Sequence, residues 1–521
     1  MAKVWMVLLM VAACAADSDG LTVKIDSGTL HGGKTGTVRH FLGVPYAAPP
    51  VGPNRWRAPQ PVEPWSGVQD ALQVSDACAQ GFSPFSAFTT NNEDCLYLNV
   101  FTPTGAHGLP VMVWIHGGAF VVGSGNDRWY DGSLLAQQGV IVVTINYRLG
   151  ALGFLAHPAF DGEDPGYPTS GNYGLSDQQA ALAWVQRNIS QFGGDPKRVT
   201  IFGESAGGWS NCIHYLSSKT SGLFAAAISE SGLCDAPAVT LTHADALASG
   251  TTLATQLGCT GTGSAAAACL RGLSVDALLM ATAGTPIAMQ QPGGLFYQSS
   301  VPSLLPNVDG VVVEGSMAQL LAAGTFEPRP LLLGTNKDEG TLFTSSLLGQ
   351  PVADATQYHD ALARRFGSAN ADAIVARYPA TTFATPTDAL AEVTGDAFWV
   401  CPARRTARGV AAAGAPVFRY SFEHALENPL VPDAGVFHGS ELVFVFGNDN
   451  ITFGKIGASG APLVPVMQGE WTGFAKTHAP GADWPAFDAS TDPYQRLDVP
   501  TSAQQGLKSS LCDFWDSLAV P

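Results

Sequence analysis

The chain has 521 residues, 46% of them hydrophobic and only 13% charged, with 26 Lys and Arg against 43 Asp and Glu. That apolar share is enough for a large core, while a net charge of −17 without any Lys/Arg run excludes nucleic acid as the main partner, because phosphate binding draws on clustered positive charge. Dividing the length by about 150 residues suggests about three domains, yet enzymes built on one large α/β sheet exceed that prior, so one or two remain open.

Residues 1–20 read as an address. Lys3 precedes ten apolar residues, Val4 to Ala13, and then Cys14, which is the charged start and apolar run of a secretory signal. Val11-Ala12-Ala13-Cys14 resembles a bacterial lipobox, in which Cys14 becomes the lipidated first residue and Ala15 to Gly20 a tether that attaches the protein to a membrane. The alternative takes Ala13-Cys14-Ala15 as an A-x-A cleavage site that releases a soluble protein. Both readings imply export. Beyond this segment no stretch approaches the roughly 18 to 20 apolar residues of a membrane-spanning helix.

Further along, Leu21 to Ile25 and Val38 to Val44 alternate as antiparallel edge hairpins do. Val111 to Ile115, Ile141 to Ile145, Val199 to Phe202 and Leu331 to Leu333 are continuous, β-branched runs bounded by turn residues, and are expected to be buried strands. Between the second and third, Ser176 and Gln179 form a capping-box pattern. Ala180, Leu182, Ala183, Val185 and Ile189 then recur at helical spacing until Gly193-Gly194. Strand, helix and strand in this order imply a parallel sheet. Gly261 to Ala268 reads as a short surface loop, and Val417 to Phe422 as the last strand.

The chemistry begins at Gly203-Glu204-Ser205-Ala206-Gly207, between the strand Val199 to Phe202 and a helical stretch through Leu216. This is G-x-S-x-G where a sharp strand-to-helix turn exposes the hydroxyl, with small residues two positions away on either side to avoid a clash. A lone serine is a poor nucleophile, so an acid and then a base must follow it in the chain. Asp338 and Glu339 both lie in the loop after Leu331 to Leu333. His359, His424, His438 and His478 follow, and spacing alone does not separate His424 from His438. Ile115-His116-Gly117-Gly118-Ala119-Phe120 has the small residues of an oxyanion loop, to which Ala206 would add its N–H. There is no C-x-x-C and no His-Glu-x-x-His, and neither a metal nor another cofactor is expected.

In Phe41-Leu42-Gly43-Val44-Pro45-Tyr46-Ala47, Glu93-Asp94-Cys95-Leu96-Tyr97-Leu98-Asn99-Val100, Asn146-Tyr147-Arg148-Leu149-Gly150 and Phe192-Gly193-Gly194-Asp195-Pro196, together with the two glycine loops, the sequence resembles the type-B carboxylesterase and lipase family, relatives of the cholinesterases. The resemblance runs from about Leu21 to Leu518. It implies an α/β-hydrolase fold over residues 21–521, a large mostly parallel sheet flanked by helices. It also implies Glu339 as the acid, His438 as the base, and an oxyanion hole of Gly118, Ala119 and Ala206. By position it implies the disulfides Cys78–Cys95, Cys259–Cys269 and Cys401–Cys512, the last tying a helix at Gly506 to Leu518 to the body. It makes Arg55–Glu93 and Arg148–Asp177 structural ion pairs. Setting Cys14 aside leaves eight of the nine cysteines, and Cys212 and Cys234, without family partners, are either a fourth bridge or two buried thiols.

Two readings follow from different classes. One is a serine ester hydrolase working through an acyl-enzyme on Ser205, with a serine peptidase or amidase as a lesser variant. The other is a non-catalytic adhesion protein, since the family contains members that keep the fold and lose the nucleophile. Here every position of the triad and the hole is filled. The 16 residues between Cys78 and Cys95 include Phe82, Phe85 and Phe88 but no Trp, so a cation-stacking platform is not expected. Aligning Pro306-Asn307-Val308-Asp309-Gly310 with the family places Ser300 and Pro302 where acyl-pocket aromatics stand in cholinesterases. Small, uncharged, short- to medium-chain esters are the expected substrates.

Overall fold

The computed structural model describes residues 20–83, 86–235, 239–282, 304–345, 351–449 and 453–518. Eleven strands form one sheet: β1 (Gly33–Thr35), β2 (Val38–Pro45), β3 (Tyr97–Pro103), β4 (Leu109–Ile115), β5 (Ile141–Ile145), β6 (Gly194–Glu204), β7 (Ala226–Glu230), β8 (Leu331–Asn336), β9 (Val417–Phe422), β10 (Pro493–Leu497) and β11 (Ser502–Gln505). Their spatial order is β11-β10-β9-β8-β7-β6-β4-β5-β3-β2-β1. From β5 to β10 all neighbours are parallel, and antiparallel strands close both edges.

The central strands are mostly apolar because helices cover both faces, and every residue of β5, β7, β8 and β9 is buried, polar ones such as Glu230 and Arg419 included. Trp114, Phe202 and Phe446 pack together in this core, with ring centroids 4.9 to 5.9 Å apart. The chain reverses its winding between β4 and β6. After β4 it moves outward to β5, then returns to place β6 on the other side of β4. Such a switch point leaves a crevice at the carboxyl ends of the two strands. A second, smaller apolar cluster gathers Tyr358, Leu362, Phe366, Ile374, Val393 and Trp515.

Several expectations are corrected. The helix read from a capping box at Ser176 starts earlier, at Tyr173, and runs to Asn188. Its N-cap is Asn172 at φ 56°, whose side-chain amide bonds both backbone groups of Asn307 instead of capping, and Ser176 donates to the Tyr167 hydroxyl. Ser264–Gly272, which begins inside the stretch Gly261 to Ala268 read as a loop, is a helix, as its alanines favour. The strand Val417–Phe422 is not the last, since β10 and β11 follow it. Both are short, polar and partly exposed, so neither shows a continuous apolar run. Of the N-terminal hairpins, β1–β2 does edge the main sheet. Thr22–Lys24 instead pairs with Thr29–His31 in a separate three-stranded sheet completed by Val68–Asp70.

The three disulfides implied by the resemblance are formed, Cys401–Cys512 anchoring the helix Ser509–Ser517, and Cys212–Cys234 is a fourth. Arg55 grips Glu93 through two nitrogens, and Arg148 binds both Asp177 oxygens at 2.7 and 2.8 Å. No single helix among the described residues is long and apolar enough to cross a membrane, and Cys14 lies outside them.

Candidate active site

The crevice at the switch point is where the site is built. β6 ends at Glu204, and the helix Ala206–Leu216 begins two residues on, so Ser205 absorbs the whole turn at φ 55° and ψ −121°. The turn lies on the end of β4. A Cβ on Gly203 or Gly207 would come 2.5 or 1.9 Å from the Ile115 carbonyl oxygen, so only glycine fits at either place. The Ser205 N–H donates to the Glu230 carbonyl at the end of β7, 2.9 Å away, which fixes the serine from the other side.

The loop leaving β4 folds against this turn. Gly118, Ala119 and Phe120 all have positive φ, at 105°, 54° and 62°, and the N–H groups of Val121 and Val122 close back on the Gly118 carbonyl at 3.0 and 3.1 Å. The backbone N–H groups of Gly118 and Ala119 are left without a protein partner among the described residues. Ala206 opens a helix, so its N–H has no partner within the helix. His116 is buried and stacked on Tyr147, and burial lowers its pKa to about 4, which keeps it neutral.

β8 delivers the two acidic candidates, and their environments separate them. Glu339 is buried. Its Oε2 lies 2.6 Å from His438 Nδ1, while Oε1 accepts from the Ser231 hydroxyl at 2.6 Å and the Asn336 N–H at 2.8 Å. Asp338 turns away and accepts from the Val436 N–H at 2.8 Å, bracing the loop that carries His438. The imidazole of His438 sits between Phe343 and Trp399, at centroid distances of 5.0 and 5.1 Å. Its Nε2 is 3.1 Å from Glu204 Oε1 but outside hydrogen-bond geometry.

The other histidines are elsewhere. His424 pairs with Asp498 at 2.7 Å, His359 with Asp372 at 3.0 Å, and His478 ends the helix Leu463–Thr477. The structure thus brings together Ser205, Glu339, His438 and the loop of Gly118 and Ala119. It leaves Asp338 and the remaining histidines aside.

Residues the sequence reading assigned no role complete the surroundings. Ser231 at φ 48° holds Glu339 from the loop after β7, and its carbonyl accepts the Trp399 indole N–H at 2.9 Å. β7 itself was the overlooked signal: Ala226–Glu230 is a buried strand followed by Ser231-Gly232. Glu204, Glu230 and Glu441 are three further buried carboxyl groups. Burial, and then neighbouring carboxylates, raise all three above the ordinary range, Glu441 to about 8. Among the described residues no group of His, Cys, Asp and Glu is arranged to hold a metal ion.

A largely parallel sheet, a serine on the turn after one central strand, an acid after a later strand and a histidine later still together define the α/β-hydrolase fold. A para-nitrobenzyl esterase structure superimposes with a TM-score of 0.82 at 34% identity, covering 95% of this chain and 99% of that one. Residues 19–515 match the model of the carboxylesterase family, and the chain belongs to that family. It is 38% identical to the fumonisin B1 esterase of Sphingopyxis macrogoltabida over 91% of this chain and 86% of that protein. The para-nitrobenzyl esterase of Bacillus subtilis is also 38% identical, with 90% and 93% covered, and the acetylcholinesterase of Bungarus fasciatus 34%, with 98% and 89% covered. The protein is an ester hydrolase of this family.

Proposed function

We propose that the protein hydrolyses uncharged short- to medium-chain carboxylic esters through an acyl-enzyme on Ser205. The observation that carries this reading is the 2.6 Å contact between Glu339 and His438, whose Nε2 lies 3.1 Å from Glu204, the residue next to a serine held at positive φ. As Ser205 Oγ attacks the carbonyl carbon, His438 Nε2 takes its proton, and Glu339 holds Nδ1–H and stabilises the imidazolium. The N–H groups of Gly118, Ala119 and Ala206 bind the oxyanion. Collapse breaks the ester bond, and the alcohol leaves with the proton from His438. Water then attacks the acyl carbon by the same route, releasing the acid and restoring Ser205.

The substrate class rests on the loop between the first two cysteines. It contains no Trp, the ring that stacks a cation best, and Phe82 is 81% exposed and points to solvent, which speaks against a stacked cationic alcohol; Phe85 lies outside the described residues. Ser300 and Pro302, the two acyl-pocket positions, lie outside the described residues. The relatives are named for different esters, para-nitrobenzyl, fumonisin B1 and acetylcholine, so ester cleavage is what they share. In a panel of neutral para-nitrophenyl esters, kcat/KM for butanoyl is expected to equal or exceed that for acetyl. Each methylene that fits adds up to about 1 kcal/mol, roughly fivefold. A peak at acetyl, or strong preference for acetylcholine over a neutral acetate, contradicts the reading.

Export is part of the same proposal. The apolar run before Cys14 and four disulfides among the described residues support an oxidising compartment. Mass spectrometry of the mature N-terminus is expected to find lipid on Cys14. An unmodified chain starting at Ala16 would mean plain secretion instead.

A further inference from the structure

The Cys212–Cys234 bridge lies directly beneath the reacting groups. Cys212 is on the helix that begins just after Ser205, Cys234 is in the loop that follows β7, and both are fully buried. Between β7 and Cys234 stand the two residues that lean on the site. Gly232 presses against the start of the helix, so that a Cβ there would come 2.5 Å from the Ser205 carbonyl oxygen and the Trp209 nitrogen. Ser231 has three separate attachments: its N–H to the Gly334 carbonyl at 3.0 Å, its hydroxyl to Glu339, and its carbonyl to the Trp399 indole. Cys212 Sγ lies 3.6 Å from the Gly232 carbonyl oxygen and 3.7 Å from Ser229 Oγ. The bridge therefore packs on the same short loop that it closes.

Ser231 is not glycine, yet it is held at φ 48°, a conformation that persists only where the surroundings over-determine it. The helix fixes one end of the loop through the bridge, and β7 fixes the other. We propose that the Cys212–Cys234 bridge is a positioning device for the acid and base. By locking the turn at Ser231, it holds the hydroxyl against Glu339 and the carbonyl against Trp399, and so sets the orientation of His438. This rests on the triad reading above. Ser231 and the two cysteines are positioning residues; none of them touches the reacting atoms.

The test compares the full-length enzyme with Cys212→Ala/Cys234→Ala, and uses Cys259→Ala/Cys269→Ala, whose bridge ties the helix Ser264–Gly272 to the short segment before it, as the control bridge. The expected result is a kcat lower by about 10-fold or more with KM within about twofold, because a small misplacement of a reacting group slows the step without weakening binding. A looser Glu339 stabilises the imidazolium less, so the acid limb of the kcat/KM profile moves to lower pH by about half a unit or more. Ser231→Ala, which keeps the bridge, is expected to show the same two changes, whereas the control pair loses thermal stability alone. A double variant with lower Tm but unchanged kcat and acid limb overturns the proposal. Should the double variant not fold, unchanged kcat and acid limb in Ser231→Ala overturn it equally, since the bridge then has nothing to act through. Organophosphate titration of the wild-type enzyme separates the two readings. No labelling at Ser205 refutes the triad, whereas full labelling with unaffected variants refutes only the role of the bridge.

Discussion

At φ 55° and ψ −121°, Ser205 occupies backbone space that costs an L residue about 1 to 3 kcal/mol, and the cost is offset by what surrounds the turn. The serine N–H is bonded to Glu230, the helix opens immediately after it, and Gly203 and Gly207 admit the end of β4. These requirements are local, which is why the nucleophile was legible from five consecutive residues. The acid and the base were not legible in that way. Asp338 and Glu339 are adjacent, and only the direction each takes from the end of β8 distinguishes them. His424 and His438 share one connection after β9, and the choice between them depends on which reaches the crevice. Family resemblance, not spacing, selected Glu339 and His438. His438→Ala is accordingly expected to lower kcat by at least about 10⁴-fold, as loss of a triad member does, while His424→Ala, which breaks contacts with Asp498, Ser459 and Phe444, stays within about threefold. Steady-state ester hydrolysis by both variants decides it, and a larger loss in His424→Ala would reverse the assignment.

Elements were legible where burial on both faces writes a continuous apolar run, as in β4, β5, β6 and β8. They were misread where structure depends on partners distant in sequence: Asn172 caps its helix by geometry while its side chain serves Asn307, and β10 and β11 are too polar to stand out. The same convergence of element ends explains the buried acids. Glu204 ends β6, Glu230 ends β7, and Glu441 precedes the short helix Leu442–Phe446, so three carboxyl groups gather beside His438 with no Lys or Arg paired to them among the described residues. Glu441 accepts a hydrogen bond from the Asn336 side chain and is otherwise held in low dielectric. In the unfolded chain it would release its proton near the ordinary 4.5, whereas the folded protein keeps it to about 8. Between those values the folded state binds more protons than the unfolded one. The stability Glu441 contributes is therefore complete below about 4.5 and lost as pH rises through about 8. Glu441→Gln keeps the shape without the titration and is expected to flatten the fall in stability from pH 5 to 8, by on the order of a few kcal/mol. Denaturant unfolding across that range measures it, and an unchanged slope would contradict the assignment.

For the whole molecule, the order of winding gathers the site. β6 supplies the serine, β4 its oxyanion loop, β8 the acid and the connection after β9 the histidine, all at the carboxyl ends of neighbouring or next-but-one strands. Motif order along the chain foretold that gathering, because a parallel sheet presents successive loops at one edge. The position of Ser231 and the fourth disulfide were beyond it, since both depend on β7 standing between the serine and the acid. The central claim is that an ester's acyl group passes through Ser205. Rapid quenching of the enzyme with a neutral butanoate ester, followed by peptide mass spectrometry, tests this most directly. The account predicts a transient butanoyl group on the peptide bearing Ser205, absent from Ser205→Ala, which remains folded but inactive. Turnover without an adduct, an adduct on another residue, or undiminished hydrolysis by Ser205→Ala would contradict it.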